Sequence, residues 1–198
     1  RGSLKLPESP KVKQIEVDFG GGNKQKVLHG PAAAPQQFIN WPESMKLFGD
    51  SPNSVTIFHV ARYSPETGGT CGRIITDANN DNWLSGFWNC ANGVAHHEGW
   101  LGSHGNKFPK TNWVLSYDTA KLYKAYSKGA SFRGENAGAR GPTSLKIGAW
   151  RDSNAEFTQG FEVAAILVYD YVMDDKDATK VMDYLNGIYA VTPKGSYP

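Results

Sequence analysis

The residue types best suited to holding a ligand crowd into one stretch: Trp83, Trp88, Asn89, Asn92, His96, His97, Glu98 and Trp100. Indole rings offer flat apolar faces with a single N–H, while amides, imidazoles and carboxylates read polar edges. A tryptophan on an alternating strand is nevertheless more often core than platform. The residues after Cys90 are less strand-like, which puts His96, His97 and Trp100 on an expected rim, with Asn92 beside them. Arg151 opens another expected rim loop, at residues 151–154, and is the fifth candidate contact. Further rim loops are expected at residues 64–69, 102–110 and 134–142, since surface connections carry specificity on a rigid scaffold.

His96-His97-Glu98 invites a metal reading, but adjacent strand residues point to opposite faces. A zinc site needs three or four converging ligands, and no second cluster sits at ligand spacing. Oxygen-rich turns suit calcium better. Asp77, Asn79 and Asp81, with Asn80 and Asn82 between and beside them, form one candidate; Asp152, Asn154 and Glu156 form a second. The first run lacks the spacing and distal Glu of a calcium loop, and tight-turn chemistry accounts for the same residues. No cofactor is required by this reading, and calcium remains open.

Cys71 and Cys90 lie equally far from a turn centred on Asn80-Asp81. Directly opposed strand residues approach closely enough for a disulfide after modest adjustment. A bridge between them is expected, and with it an oxidising location: extracellular, cell surface or virion surface.

The elements that must position these groups are mostly short strands. Aromatics and 22 glycines favour strands joined by tight turns. Ile15, Val17 and Phe19 alternate with Glu16 and Asp18, and Gly20-Gly21-Gly22-Asn23 ends that strand. Further strands are expected at residues 55–63, 72–76, 83–88, 113–117, 121–127, 145–150 and 161–169, with a short one somewhere in the proline-interrupted segment 30–53. One helix stands out. Asp174 suits an N-cap, Ala178, Val181, Met182 and Leu185 make one buried stripe, and Gly187 is placed to end it. A short terminal helix of this kind is expected to plug one end of a sandwich. Residues 1–13 read as a tag remnant and linker, 14–191 as one domain and 192–198 as a tail.

Bulk properties narrow the class. Lys and Arg number 21 against 19 acidic residues, for a net charge of +2, with no basic stripe. Nucleic acid is therefore not an expected partner. No apolar run approaches the roughly 18 residues of a membrane-spanning helix, so direct membrane insertion is not expected.

Several segments resemble the concanavalin A-like, laminin-G-like jelly rolls. The closing signature carries most of the likeness: Phe161 through Tyr169-Asp170, then Asp174 to Asp177, then Asp183-Tyr184-Leu185. Ser54 to Arg62 resembles the family's early strand with its trailing Arg. Gly72-Arg73-Ile74 with Asn82 to Trp88 resembles the next hairpin, and Lys121 to Gly129 the strand and turn that follow. The resemblance implies an all-β, antiparallel two-sheet jelly-roll sandwich with one short C-terminal helix. Glucanases of that fold present an E-x-D-x-x-E strand and its lyases a Gln-x-His strand; both patterns are missing here, so catalysis is not expected. Sugars present apolar ring faces and hydroxyl edges, which matches the groups between Trp83 and Trp100. The expectation is a binding module of a larger surface or secreted protein, recognising a glycan or a cell or particle surface. The alternatives are an attachment module that contacts protein and, further off, a hydrolase or lyase.

Overall fold

In the computed structural model the described residues are 12–31, 39–40, 53–65, 71–79, 81–148 and 160–194. They form an antiparallel two-sheet sandwich with one C-terminal helix. In chain order the strands are β1 (Lys13–Asp18), β2 (Lys24–Gly30), β3 (Ile39–Asn40), β4 (Thr56–Tyr63), β5 (Ile75–Thr76), β6 (Trp83–Trp88), β7 (Ala91–His97), β8 (Val114–Thr119), β9 (Leu122–Ser127), β10 (Ala130–Glu135), β11 (Lys146–Ile147) and β12 (Phe161–Tyr169). The larger sheet runs β1-β2-β12-β4-β8-β9-β10, and the smaller runs β3-β11-β5-β6-β7. The last strand thus inserts between β2 and β4, tying the end of the domain to its beginning.

Strand β4 shows how the layers arise. Val55, Ile57, Ala61 and Tyr63 face the smaller sheet and join Trp83, Phe87, Tyr123 and Phe161 in the main core. Phe58 and Val60 point the other way, into a second core. A strand apolar on both faces must be covered on both, and the second cover is α1 (Asp175–Tyr189). Its Ala178, Met182 and Leu185 pack on Phe58, Leu115, Tyr117 and Tyr126.

The helix therefore lies across the outer face of the larger sheet and does not plug an end. Asp174 caps it as expected, its carboxylate accepting from the Asp177 N–H at 2.8 Å. It runs past Gly187, however, and ends at Ala190 in the left-handed region, whose N–H donates to the Asn186 carbonyl. Strands β2, β7 and β10 form where none was expected. The β7 sequence, rich in Gly, Asn and His, carries little intrinsic strand signal. In β10, Gly134 is needed because a Cβ there would lie 1.8 Å from the Leu101 carbonyl oxygen. The strand expected at 72–76 is shorter, confined to Ile75–Thr76.

Candidate functional site

The β6–β7 hairpin builds the site. Its turn is Asn89-Cys90, with φ of 46° and 64°, the left-handed pair that tight hairpins require. Cys90 is held there by a disulfide to Cys71, with an S–S distance of 2.06 Å. The bridge was expected; the register behind it differs by one residue. Strands β5 and β6 pair Ile75 with Ser85 and Thr76 with Leu84, which centres their connection on residue 80. Cys90 consequently sits in the next turn, beyond the end of β6.

Alternation along the hairpin sorts its side chains onto two faces. Trp83, Ser85, Phe87, Ala95 and His97 face the core between the sheets. Leu84, Ala91 and Val94 face outward and are buried beneath Trp88 and Trp100. The loop after β7 delivers Trp100. Glu98 adopts a φ of 59°, Trp100 bridges back to His96, and Leu101 enters the core with its N–H donating to the Ala95 carbonyl at 3.0 Å.

The outcome is an aromatic platform on the outer face of the smaller sheet. Trp88 and Trp100 meet edge to face at 5.2 Å. His104 lies 5.3 Å from Trp100 and 6.0 Å from Trp88, and His96 meets Trp100 at 5.0 Å. With Leu84, Arg73 and Asn82 they line a depression of about 360 Å³. The polar rim is fixed from below: His96 Nδ1 donates to the Asn82 carbonyl at 2.7 Å, and Arg73 Nη2 donates to Asn82 Oδ1 at 2.6 Å. Preorganised groups of this kind lose little entropy when a ligand arrives.

A second, larger cavity of about 530 Å³ opens at the end of the sandwich, lined by Asp81, Trp83, Glu98, Arg140 and Thr143 and by the backbone at Gly138 and Gly141. Its frame hangs on Asp77, fully buried between the 77–83 turn and residues 143–144. Asp77 Oδ1 accepts from the Asn79 N–H at 2.6 Å. Its Oδ2 accepts from the Thr143 N–H at 2.6 Å, the Thr143 hydroxyl at 3.1 Å and the Ser144 N–H at 3.0 Å. Asp81 Oδ2 lies 3.2 Å from the same hydroxyl.

Beneath Trp83 the interior is polar. The indole stacks on His97 at 5.1 Å and 19°. His97 Nδ1 lies 3.0 Å from the Ala120 carbonyl, which can only accept, so that nitrogen carries a proton. Its Nε2 lies 3.2 Å from Asp118 Oδ1, with both side chains buried, in a contact that is not an aligned hydrogen bond. Nearby, His59 Nε2 meets Ser85 Oγ at 2.9 Å, and burial pushes the imidazole down to about 3.

The sequence-derived candidates therefore separate. His96 and Trp100 come together. His97, one residue from His96, is on the opposite face and buried. Asn92 is buried and tethers the 106–110 loop: its Oδ1 accepts from the Phe108 N–H at 3.1 Å and its Nδ2 donates to the Pro109 carbonyl at 2.8 Å. Asp77 and Asn79 belong to the turn network, and Asp81 lines the end cavity. Arg151 lies outside the described residues, as do Asp152, Asn154 and Glu156. Among the described residues, no group of three or more His, Cys, Asp or Glu side chains converges in a way that could hold a metal ion. Sequence reasoning weighed Trp88 as core and did not single out His104. Trp88 is two strand steps on from outward-facing Leu84 on a period of two, which is the signal that could have found it. Arg62 pairs with a carboxylate: its Nη2 lies 2.6 Å from Glu162 Oε2.

No protein-family model matches the chain, and no curated protein sequence matches it. Solved structures do. The binding domain of Paraclostridial Mosquitocidal Protein 1 superposes with a TM-score of 0.52 at 14% identity, covering 88% of this chain and 46% of that one. The botulinum neurotoxin serotype G binding domain gives 0.52 at 7% identity, covering 89% and 46%. The chain thus spans about half the length of these two domains. Domain 4 of an extracellular arabinanase from Geobacillus stearothermophilus, in complex with arabinotriose, gives 0.47 at 16% identity, covering 86% and 81%. At these identities the first two likenesses establish the fold: the chain shares the β-sandwich of the two toxin binding domains.

Proposed function

We propose that this chain is a non-catalytic, concanavalin A-like carbohydrate-binding module of a larger secreted or surface protein. The observation that carries this reading is the platform: Trp88, Trp100 and His104 rings beside the rim of Arg73, Asn82 and His96. A pyranose or furanose ring can lay its apolar C–H face on the indoles while its hydroxyls meet the rim. The fold neighbours named as binding domains are in line with this reading, and the disulfide supports an oxidising location. A protein-attachment role is the second reading, favoured by Tyr171, Val172 and Tyr184, large apolar side chains at least half exposed on the helix side.

The test is a glycan array probed with wild-type protein and with folded Trp100→Ala, with calcium and again with chelator. Reproducible binding of one sugar class, lost in the variant, with the bound glycan recovered intact, supports the module. Wild-type binding that Trp100→Ala leaves unchanged removes the platform from the account. Recovery of cleaved glycan makes the protein an enzyme.

A further inference from the structure

We infer that the end cavity is a second sugar subsite, continuous with the platform, so that the ligand is an oligosaccharide that crosses the Asn82–Glu98 rim. This rests on the carbohydrate reading above. The cavity holds an incomplete set of hydrogen-bonding groups. The Trp83 indole N–H is buried and has no partner. The Arg140 side chain is exposed at the wall, and no hydrogen bond or ion pair holds its guanidinium among the described residues. Glu98 spends one oxygen on the Asn82 N–H at 2.8 Å and keeps the other, and among the described residues the Asp81 carboxylate has only the Thr143 hydroxyl near it, 3.2 Å from Oδ2, whose proton goes to Asp77. The exposed Arg140 guanidinium and the free carboxylate oxygens of Asp81 and Glu98 thus line one space, with the Trp83 ring forming part of its wall.

A sugar hydroxyl donates once and accepts twice, so a pair of neighbouring hydroxyls can give protons to Asp81 or Glu98 while accepting from Arg140. The charge balance selects the ligand class. Two carboxylates against one guanidinium leave the wall net negative, which disfavours an acidic sugar and suits a neutral, hydroxyl-rich one. The cavity is also larger than the platform depression, about 530 against 360 Å³.

Continuity comes from Asn82. Its N–H is held by Glu98 of the cavity wall, while its carbonyl accepts from the Glu98 N–H at 3.2 Å and from His96 of the platform at 2.7 Å. Asp81 and Trp83 line one site, and Asn82 and Leu84 the other. Linking two weak subsites in one ligand raises affinity without any new contact at either.

The experiment records the indole N–H resonances of the full chain during titration with glucose, galactose and arabinose, and with their di- to pentasaccharides. Monosaccharides are expected to shift Trp88 and Trp100, and oligosaccharides to shift Trp83 as well. Arg140→Ala is expected to weaken oligosaccharide binding about tenfold while leaving monosaccharide affinity unchanged. Glu98→Gln, which keeps an acceptor for the Asn82 N–H, is expected to act in the same direction. An unmoved Trp83 resonance at saturation, or wild-type oligosaccharide affinity in Arg140→Ala, overturns the second subsite and leaves the platform standing. If no indole resonance moves with any probe, the carbohydrate reading falls and this inference with it.

Discussion

At the scale of single residues, the hairpin shows how one step along a strand separates roles. His96 belongs to the platform rim; His97 is sealed under Trp83 against Asp118. From sequence the two were equivalent, because the alternation that divides them is invisible until β7 is known to be a strand. His59 yields a prediction at this scale. Burial lowers its imidazole from 6.5 to about 3. Below pH 6.5 the unfolded chain takes up a proton that the folded chain refuses, so stability falls with pH until the folded group also protonates near 3. The slope is about 1.4 kcal/mol per pH unit, so roughly 2 kcal/mol is lost between pH 6.5 and 5 from this one group. Urea unfolding across that range is expected to show the slope in wild-type protein and a shallower one in His59→Gln. An equal slope in both proteins would contradict the assignment.

At the scale of elements, the cavity depends on a turn held by one carboxylate. Asp77→Asn keeps an acceptor for the Asn79 N–H but turns an NH₂ toward the Thr143 and Ser144 N–H groups. Leaving buried donors unpaired costs about 2–4 kcal/mol, to be read as a drop in the denaturant midpoint. Since the Asp77 oxygens already face protein donors, calcium is expected to leave the wild-type melting temperature unchanged; a rise with calcium would reopen these residues as ligands. Element legibility followed the strength of local pattern. Strand β4 and the helix start were readable because periodicity and capping are local. The helix stop was misplaced at Gly187, because Ala190 accepts the left-handed conformation that was assigned to glycine. Strands β2, β7 and β10 form through pairing with neighbours, a tertiary effect that overrides weak propensity.

At the scale of the whole molecule, two sheets and a helix make three layers with two cores. The resemblance carried in the closing strand and helix anticipated the sandwich, but not the placement of the helix, which depends on β4 and β12 being apolar on both faces and on Leu115 and Tyr117 of β8 facing outward. The Cys71–Cys90 bridge closes a loop with a sequence separation of 19. Removing it with Cys71→Ala and Cys90→Ala together is expected to cost about 3 kcal/mol. It should also loosen the β6–β7 turn next to Trp88, measured as a lower melting temperature together with weaker glycan binding. A variant that melts lower yet binds normally would show that the bridge serves the fold alone.

The central claim is that the outward-facing tryptophans hold a sugar. The most direct measurement is calorimetric titration, with the tightest glycan found on the array, of wild-type, Trp88→Ala and Trp100→Ala proteins shown to be folded. A loss of at least about thirtyfold, or ~2 kcal/mol, is expected for each variant. Wild-type affinity in both variants would place the ligand elsewhere on the protein and contradict the account.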